Sequence, residues 1–438
     1  MPGKMPYTKY NLDDYFEKYS DVNKEVIIKE DLLRLGVSFT PNALEESSKF
    51  ATKSYYLFSY DAMDVDDMKN KEFIKAPECF KFKDGPYNLR PSNNKTCLDK
   101  PEQTPYKVDY VDGELKLFWE DNYLADVELR EKPPYYAHTL PDGTPYSDVA
   151  ASVFFGYLTF CTILRSCQYW GKKEECIFCD INTNARKQSK TGRPFMVHKS
   201  VEDVVTVIDT IFNEEREDIN HSMLLTGGSI FKQAAQLQGL ENVEFYAQYI
   251  RAIREKIGNR WGIHQQTTAL TIPECKVLKE AGVDCHHANI EVWDKDLFKV
   301  YCPGKQEFIG RDEWIKRVCD SVDVFGEGHV VPTFVSGCEL AKPWGFEKWE
   351  DGVKSMREAW DFLMSHGVTP RSSSWVIEPN SVLGQYDQPV IPLDYYIEVD
   401  IAWYETWKKY NLPPIYNFTP MGPGRCLSIN SGHLDMGS

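Results

Sequence analysis

Ser152-Val-Phe-Phe-Gly-Tyr-Leu-Thr-Phe160 is an apolar run without the polar alternation of a half-exposed strand. A strand covered on both faces reads this way, and parallel sheets are covered on both faces. The run therefore predicts a first buried parallel strand. Downstream the pattern repeats as strand, then helix. Ser200-Val201-Glu202-Asp203 has the form of a capping box, and Val201, Val204, Val205, Ile208, Ile211 and Phe212 follow on one helical side. Met223–Thr226 reads as a short strand closed by Gly227-Gly228. Val243–Ile257 reads as a helix stopped at Gly258. Strands are predicted at Trp261–Thr267, Val283–Val292, Val330–Ser336 and Ser372–Ile377. Helices are predicted from Pro273 to Gly282, over Asp312–Phe325, Glu347–His366 and Leu393–Tyr410. Alternation of this kind builds a parallel sheet with helices outside it.

Upstream of residue 150 the chain is rich in Tyr, Lys, Asp and Pro and has few amphipathic periods. Its clearest element is a hairpin of Glu114–Trp119 and Tyr123–Glu131, ended by Lys132-Pro133-Pro134 because proline cannot donate to a ladder. The expected fold class is α/β: a partial (β/α)6 TIM-like barrel over residues 151–410. An N-terminal α+β extension over 1–150 contains the hairpin, and a tail over 411–438 lies across the barrel mouth. Extension and tail are both candidate lids.

The chain has 438 residues, 42% hydrophobic and 26% charged, which is ample for a large core and excludes a disulfide scaffold or wholesale disorder. With 50 basic against 66 acidic residues the net charge is −16. Nucleic-acid and anionic-membrane binders lean the other way, so neither partner is expected. The longest uncharged apolar stretch, Val149–Leu164, is shorter than the ~20 residues of a membrane helix. The polar start carries no leader pattern, and the expected location is the cytoplasm. In a reducing compartment, clustered cysteines read as metal or redox ligands before they read as disulfides.

Of 12 cysteines, Cys167, Cys176 and Cys179 form C-x8-C-x2-C just after the first barrel strand, with Cys161 upstream. Thiolates serve both zinc and iron–sulfur clusters. Structural zinc takes four ligands, often as two CxxC pairs, and this chain has one pair. Three thiols would hold three irons of a [4Fe–4S] cluster and leave one open. A zinc-stabilised barrel that binds a ligand without radical chemistry is the alternative. Cys161 is the other candidate for first ligand, although it falls within or at the end of the strand.

This loop resembles that of radical S-adenosylmethionine (SAM) enzymes, whose usual motif is C-x3-C-x2-C with an aromatic before the last cysteine, here Phe178. The longer first gap departs from the common spacing. The resemblance covers roughly residues 150–410, with the flavour of the biotin-synthase-like branch. It implies a cluster on Cys167, Cys176 and Cys179, and Phe178 near the adenine of SAM. Thr226-Gly227-Gly228 would approach the methionyl amino group, with Ser229 where the family has an acidic residue. Gln265 and Gln266 would line the barrel, and Glu291 would meet the ribose or amino group. Arg311 would pair with the carboxylate, and Val335 and Gly337 would frame the adenine. The implied reaction is reductive SAM cleavage to a 5′-deoxyadenosyl radical, which takes hydrogen from a small-molecule substrate. The implied class is oxidoreductase, transferase or lyase in an anaerobic setting, with a flavodoxin or ferredoxin as electron donor. His286, His287 and Cys426 are candidates on the substrate side, each with packing or an inert thiol as its plain reading.

Overall fold

The computed structural model describes residues 10–52, 76–77, 79–83, 103–156, 158–169, 173–188, 198–214, 222–229, 242–378, 380–417 and 430–436. Cys426 and half of the expected tail, residues 418–429 and 437–438, lie outside them. Twelve strands are described: β1 Ser38–Phe39, β2 Lys81–Phe82, β3 Tyr106–Val111, β4 Glu114–Trp119, β5 Asn122–Glu128, β6 Ala151–Val153, β7 Leu158–Leu164, β8 Ser222–Gly227, β9 Gly262–Gln266, β10 Cys285–His287, β11 Thr333–Ser336 and β12 Arg371–Ser374. The helices named below are α1 Leu12–Lys18, α2 Lys24–Leu35, α3 Pro41–Ser47, α4 Ile181–Gln188, α5 Val201–Glu214, α6 Asn242–Ile257, α7 Ile272–Ala281, α8 Lys295–Tyr301, α9 Pro303–Phe308, α10 Arg311–Asp320, α11 Trp349–Ser365 and α12 Leu393–Tyr410.

The decisive run is not one strand. Phe155 and Gly156 take φ values of 57° and 99°, so the chain reverses inside it. Its first part, β6, pairs antiparallel with β7, and β7 is the first parallel strand. A positive φ at Gly156 costs little, and that glycine punctuates an otherwise continuous apolar run. From β7 the pairing is parallel through β8, β9 and β10. β11 and β12 form a second parallel pair. Isolated parallel bridges His286–Val330 and Glu291–Phe334 connect the two sheets.

Local signals explain the helices. Ser200 Oγ accepts the Asp203 N–H at 3.0 Å and opens α5, whose Val204, Val207, Ile208 and Ile211 are buried. Thr271 and Glu274 form a reciprocal capping box on α7, which ends at Gly282 with φ 112°. The predicted long strand Val283–Val292 shrinks to β10. Two helices, α8 and α9, follow it where no element was expected, with Asp294 capping α8 through the N–H groups of Asp296 and Leu297.

The N-terminal part is a mixed sheet in the order β1-β3-β4-β5-β2, joined by α1, α2 and α3. The expected β4–β5 hairpin is present. A second hairpin, β3–β4, turns at Asp112-Gly113, both at positive φ, which is the two-residue turn that Asp-Gly favours. This part has its own apolar cluster, and Leu393 and Ile397 of α12 belong to it. Helix α12 is thus shared between both halves.

Charges are buried at this junction. Lys29 meets Asp435 at 2.5 Å, both almost fully enclosed. Glu30 accepts the Ser374 hydroxyl at 3.1 Å and the Gly432 N–H, and it is hydrogen-bonded to Asp400. Burial pushes Glu30 up to about 7, opposed by Lys29, and lifts Asp400 well above its usual range. Both carboxyls hold a proton more tightly folded than unfolded. Their stabilisation is whole below the unfolded value, 4.5 for Glu30, and is lost as pH rises through the folded value. The unfolding midpoint is therefore expected to fall between about pH 5 and about pH 8, and Glu30→Gln should flatten that slope. Thermal unfolding of both proteins across this range checks the point, and parallel slopes would refute it.

Candidate functional site

The cysteine loop leaves β7 and is tied down by backbone bonds on several sides. Gly228 donates its N–H to Leu164 O at 3.2 Å, and Gln168 donates to Ser229 O at 2.9 Å. Asn182, in the first turn of α4, accepts the Cys167 N–H at 2.8 Å and donates to Tyr169 O at 3.2 Å. Cys179 donates its N–H to Cys176 O at 3.0 Å, closing a turn across the CxxC pair. Ile177 donates to Tyr301 O at 3.0 Å and accepts from Leu383 N–H at 2.9 Å. Gly228 is obligatory here, because a Cβ on it would stand 2.1 Å from Ser166 O and 2.5 Å from Cys167 Cα.

Cys167, Cys176 and Cys179 line one cavity of about 330 Å³. Phe178, Gly227, Gly228, Glu291 and Val335, expected from the sequence, line it too. So do Gln266, Asn289, Lys305, Trp314, Ser373 and Trp375. Glu291 has a positive φ of 74°, a conformation that non-glycine residues adopt at a cost. Its backbone is held by Thr333 O and Val335 N–H, and its carboxylate meets Lys305 Nζ at 2.7 Å. Lys305 also donates to Asn289 O at 2.9 Å and lies over the Trp314 ring. Burial works against the charged ammonium, but Glu291, Cys302 and Cys176 outweigh it and raise the lysine.

The thiols differ. Burial pushes Cys167 up to about 11 and Cys179 well above the thiol range. Cys176 is lowered, first by a hydrogen bond from Cys302 and then by the Lys305 charge, against its own burial. Among the described residues no three His, Cys, Asp or Glu side chains stand close enough to hold a metal ion together. The donor set is nonetheless right in kind for a soft metal centre, with three thiols on one cavity wall beside a buried cation.

Several expected residues stand elsewhere. Of the two expected glutamines Gln266 lines the cavity, and Gln265 is fully buried away from it. Alternate strand residues face opposite sides, and Gln265 is in register with His286, whose ring stacks on Phe325 of the helical layer. Gln265 keeps both amide atoms without a hydrogen-bond partner. His286 is buried in that layer, and His287 faces the other way and bonds His264 at 2.9 Å. Neither histidine lines the cavity. Arg311 opens α10 as expected, but its guanidinium donates to Trp293 O at 2.8 Å and meets Asp312 at 2.9 Å, away from the cavity. Thr226 is buried, with its hydroxyl unpartnered. Gly337 spends its N–H on Glu339 and Tyr395 at 3.0 Å each. Neither of these two lines the cavity. Cys161 sits inside β7, fully buried.

No family model matches the sequence, and no curated protein matches it. Similar solved structures include methylornithine synthase (PylB), at 13% identity and TM-score 0.39 over 60% of this chain and 66% of that one. HydG, a maturase of the [FeFe]-hydrogenase, aligns at 12% identity and TM-score 0.41 over 58% of this chain and 50% of its own. Coproporphyrinogen III oxidase (HemN) from Escherichia coli, a radical SAM enzyme, aligns at 10% identity and TM-score 0.31 over 58% and 52%. The match spans less than two thirds of each of these chains. At such identities and scores they assign no role to any residue.

Gly228→Ala forces a methyl group into the cysteine-loop backbone. It should destabilise the protein by about 1–3 kcal/mol, as overpacked sites do. Denaturant unfolding measures this, and wild-type stability in the variant would contradict the close approach.

Proposed function

We propose that this protein is a radical SAM enzyme acting on a small molecule, with a six-unit partial barrel as its core. The observation that carries the reading is one cavity lined by all three thiols of the C-x8-C-x2-C loop, by Phe178, by the Gly-Gly turn and by the Glu291–Lys305 pair. Cys167, Cys176 and Cys179 would hold a [4Fe–4S] cluster, and SAM would fill the adjoining space. Bound there, the cluster and SAM would supply one-electron reductive cleavage and, through it, hydrogen abstraction from the substrate. The protein's own part is to bind, orient and exclude water.

Phe178 and the glycine turn, which exposes backbone to the cavity, shape the cofactor end. Glu291 offers a carboxylate to hydroxyl or amino groups. Lys305 supplies the cation for the SAM carboxylate in place of Arg311, because it is the buried ammonium that reaches the cavity. Gln266, Ser373 and Asn430 give the cavity amide and hydroxyl groups for a polar substrate. Trp314, under the Lys305 ammonium, and Trp375 wall the cavity with large apolar surface. The extension over 1–150 braces this wall through Glu30 and Ser374. An electron donor such as flavodoxin or ferredoxin and a cytoplasmic setting complete the proposal.

The test is anaerobic reconstitution with iron and sulfide, addition of SAM and dithionite, and quantification of 5′-deoxyadenosine by mass spectrometry. Formation that vanishes in Cys179→Ala is expected. A protein that takes up zinc instead of iron and makes no product would sink the reading. Lys305→Ala should weaken SAM binding by more than about tenfold, since it removes one half of a buried charged pair. Arg311→Ala should leave it within about twofold, as a residue near the surface does. Equilibrium binding of SAM to both variants decides between the two cations.

A further inference from the structure

We propose that residues 430–436 stand in for a further strand on the second edge of β12 and wall the cavity there, with His433 as the positioning residue that holds Asn430 in that wall. Among the described residues β12 pairs with β11 alone, which leaves its other edge without a strand. Towards β11, Arg371 donates its N–H to Pro332 O at 2.8 Å and Trp375 donates to Ser336 O at 2.9 Å. Ser372 and Ser374 alternate with these and address the opposite edge. There Ser374 donates its N–H to Asn430 O at 2.8 Å, and Ser372 O accepts the Ser431 hydroxyl at 3.0 Å. Covering an edge with a loop in this way satisfies groups that a missing strand would leave open. The covering is also part of the site, because Asn430 lines the cavity together with Ser373, Ser374 and Trp375.

His433 locks the segment in place. It is fully enclosed, and its Nδ1 is hydrogen-bonded to the Ser372 hydroxyl at 2.9 Å and to the Ser431 hydroxyl at 2.7 Å. One ring nitrogen thus ties strand and segment together, while the ring stands edge-on to Trp403 of α12. On the far side Gly432 donates its N–H to Glu30, and Asp435 meets Lys29, so α2 closes over the segment. The fit is tight: a Cβ on Gly432 would stand 2.5 Å from Asp400 Oδ2 and 2.7 Å from Val26 Cγ1. A wall that touches the occupant of a cavity is linked to it reciprocally. If the docked segment favours binding, binding favours the docked segment by the same factor. The inference takes its occupant, SAM, from the function proposed above.

The experiment compares wild type, His433→Leu and His433→Asn, each reconstituted anaerobically with iron and sulfide and checked for iron content and for native circular dichroism. Leucine keeps an apolar side chain without hydrogen bonds, and asparagine places an amide where Nδ1 stands. Hydrogen exchange of the peptides that hold Ser374 and residues 430–436 is followed by mass spectrometry with and without saturating SAM. Equilibrium dialysis gives the SAM affinity. In wild type, SAM should slow exchange of these amides by about five- to tenfold. His433→Leu should bind SAM more weakly by a similar factor, with His433→Asn returning most of the loss. Exchange in wild type that ignores bound SAM would overturn the proposal and leave the function intact, and this arm decides the matter even where His433→Leu does not fold. Equal SAM affinity in all three folded proteins would overturn it as well. A wild type that takes up no iron and binds no SAM would overturn both readings.

Discussion

A loop that carries reactive side chains must first satisfy its own backbone. Between Leu164 and Cys179 the chain has left β7, and unpaired N–H and C=O groups there would be costly to bury. The structure answers with bonds from four separate places. They are the Gly228-Ser229 turn after β8, Asn182 at the start of α4, the Tyr301–Gly304 segment and Leu383 after β12. Each comes from a different part of the parallel array, so the loop's geometry depends on the array being assembled. Gly228 is the tightest point of this arrangement, pressed to van der Waals limits against Ser166 and Cys167.

The same dependence governs the charges. Glu291 and Lys305 are both nearly buried, and neither alone would be tolerated in that position. Paired, they leave a compact dipole on the cavity wall beside Cys176. Lys29, Glu30, Asp400 and Asp435 form a second buried group at the junction of α2, α12 and the 430–436 segment. Buried ionic groups of this kind add little net stability but penalise wrong arrangements strongly. Here they hold α2 against β12, whose Ser373 and Ser374 line the cavity. The extension is therefore a structural part of the cavity's surroundings.

Most strands and helices after residue 200 were legible from periodicity and caps, because those signals are local. The Ser200–Asp203 box, Pro273 and the glycines at 258, 282 and 367 mark helix ends whatever surrounds them. The missed elements had signals that compete. Asp112-Gly113 lies between strands with weak alternation, and Gly156 sits inside an apolar run that hides the turn. Helices α8 and α9 are short and lie beside strand-like residues, and Gly304 of α9 packs on Glu174 and Tyr169 of the cysteine loop.

By itself, the sequence determined the three-cysteine loop, its place after a buried strand, the Gly-Gly turn and the alternation of strand and helix. These are properties of neighbours along the chain, decided by φ preference, hydrogen-bonding capacity and hydrophobic period. Only the tertiary structure decided that Gln266 rather than Gln265 faces the cavity, because a one-residue change of phase reverses the face of a strand. It also decided that Lys305 and not Arg311 reaches Glu291. Those pairings join residues far apart in the chain. They follow from sheet register and loop hydrogen bonds, which appear only when the strands have assembled beside the loop.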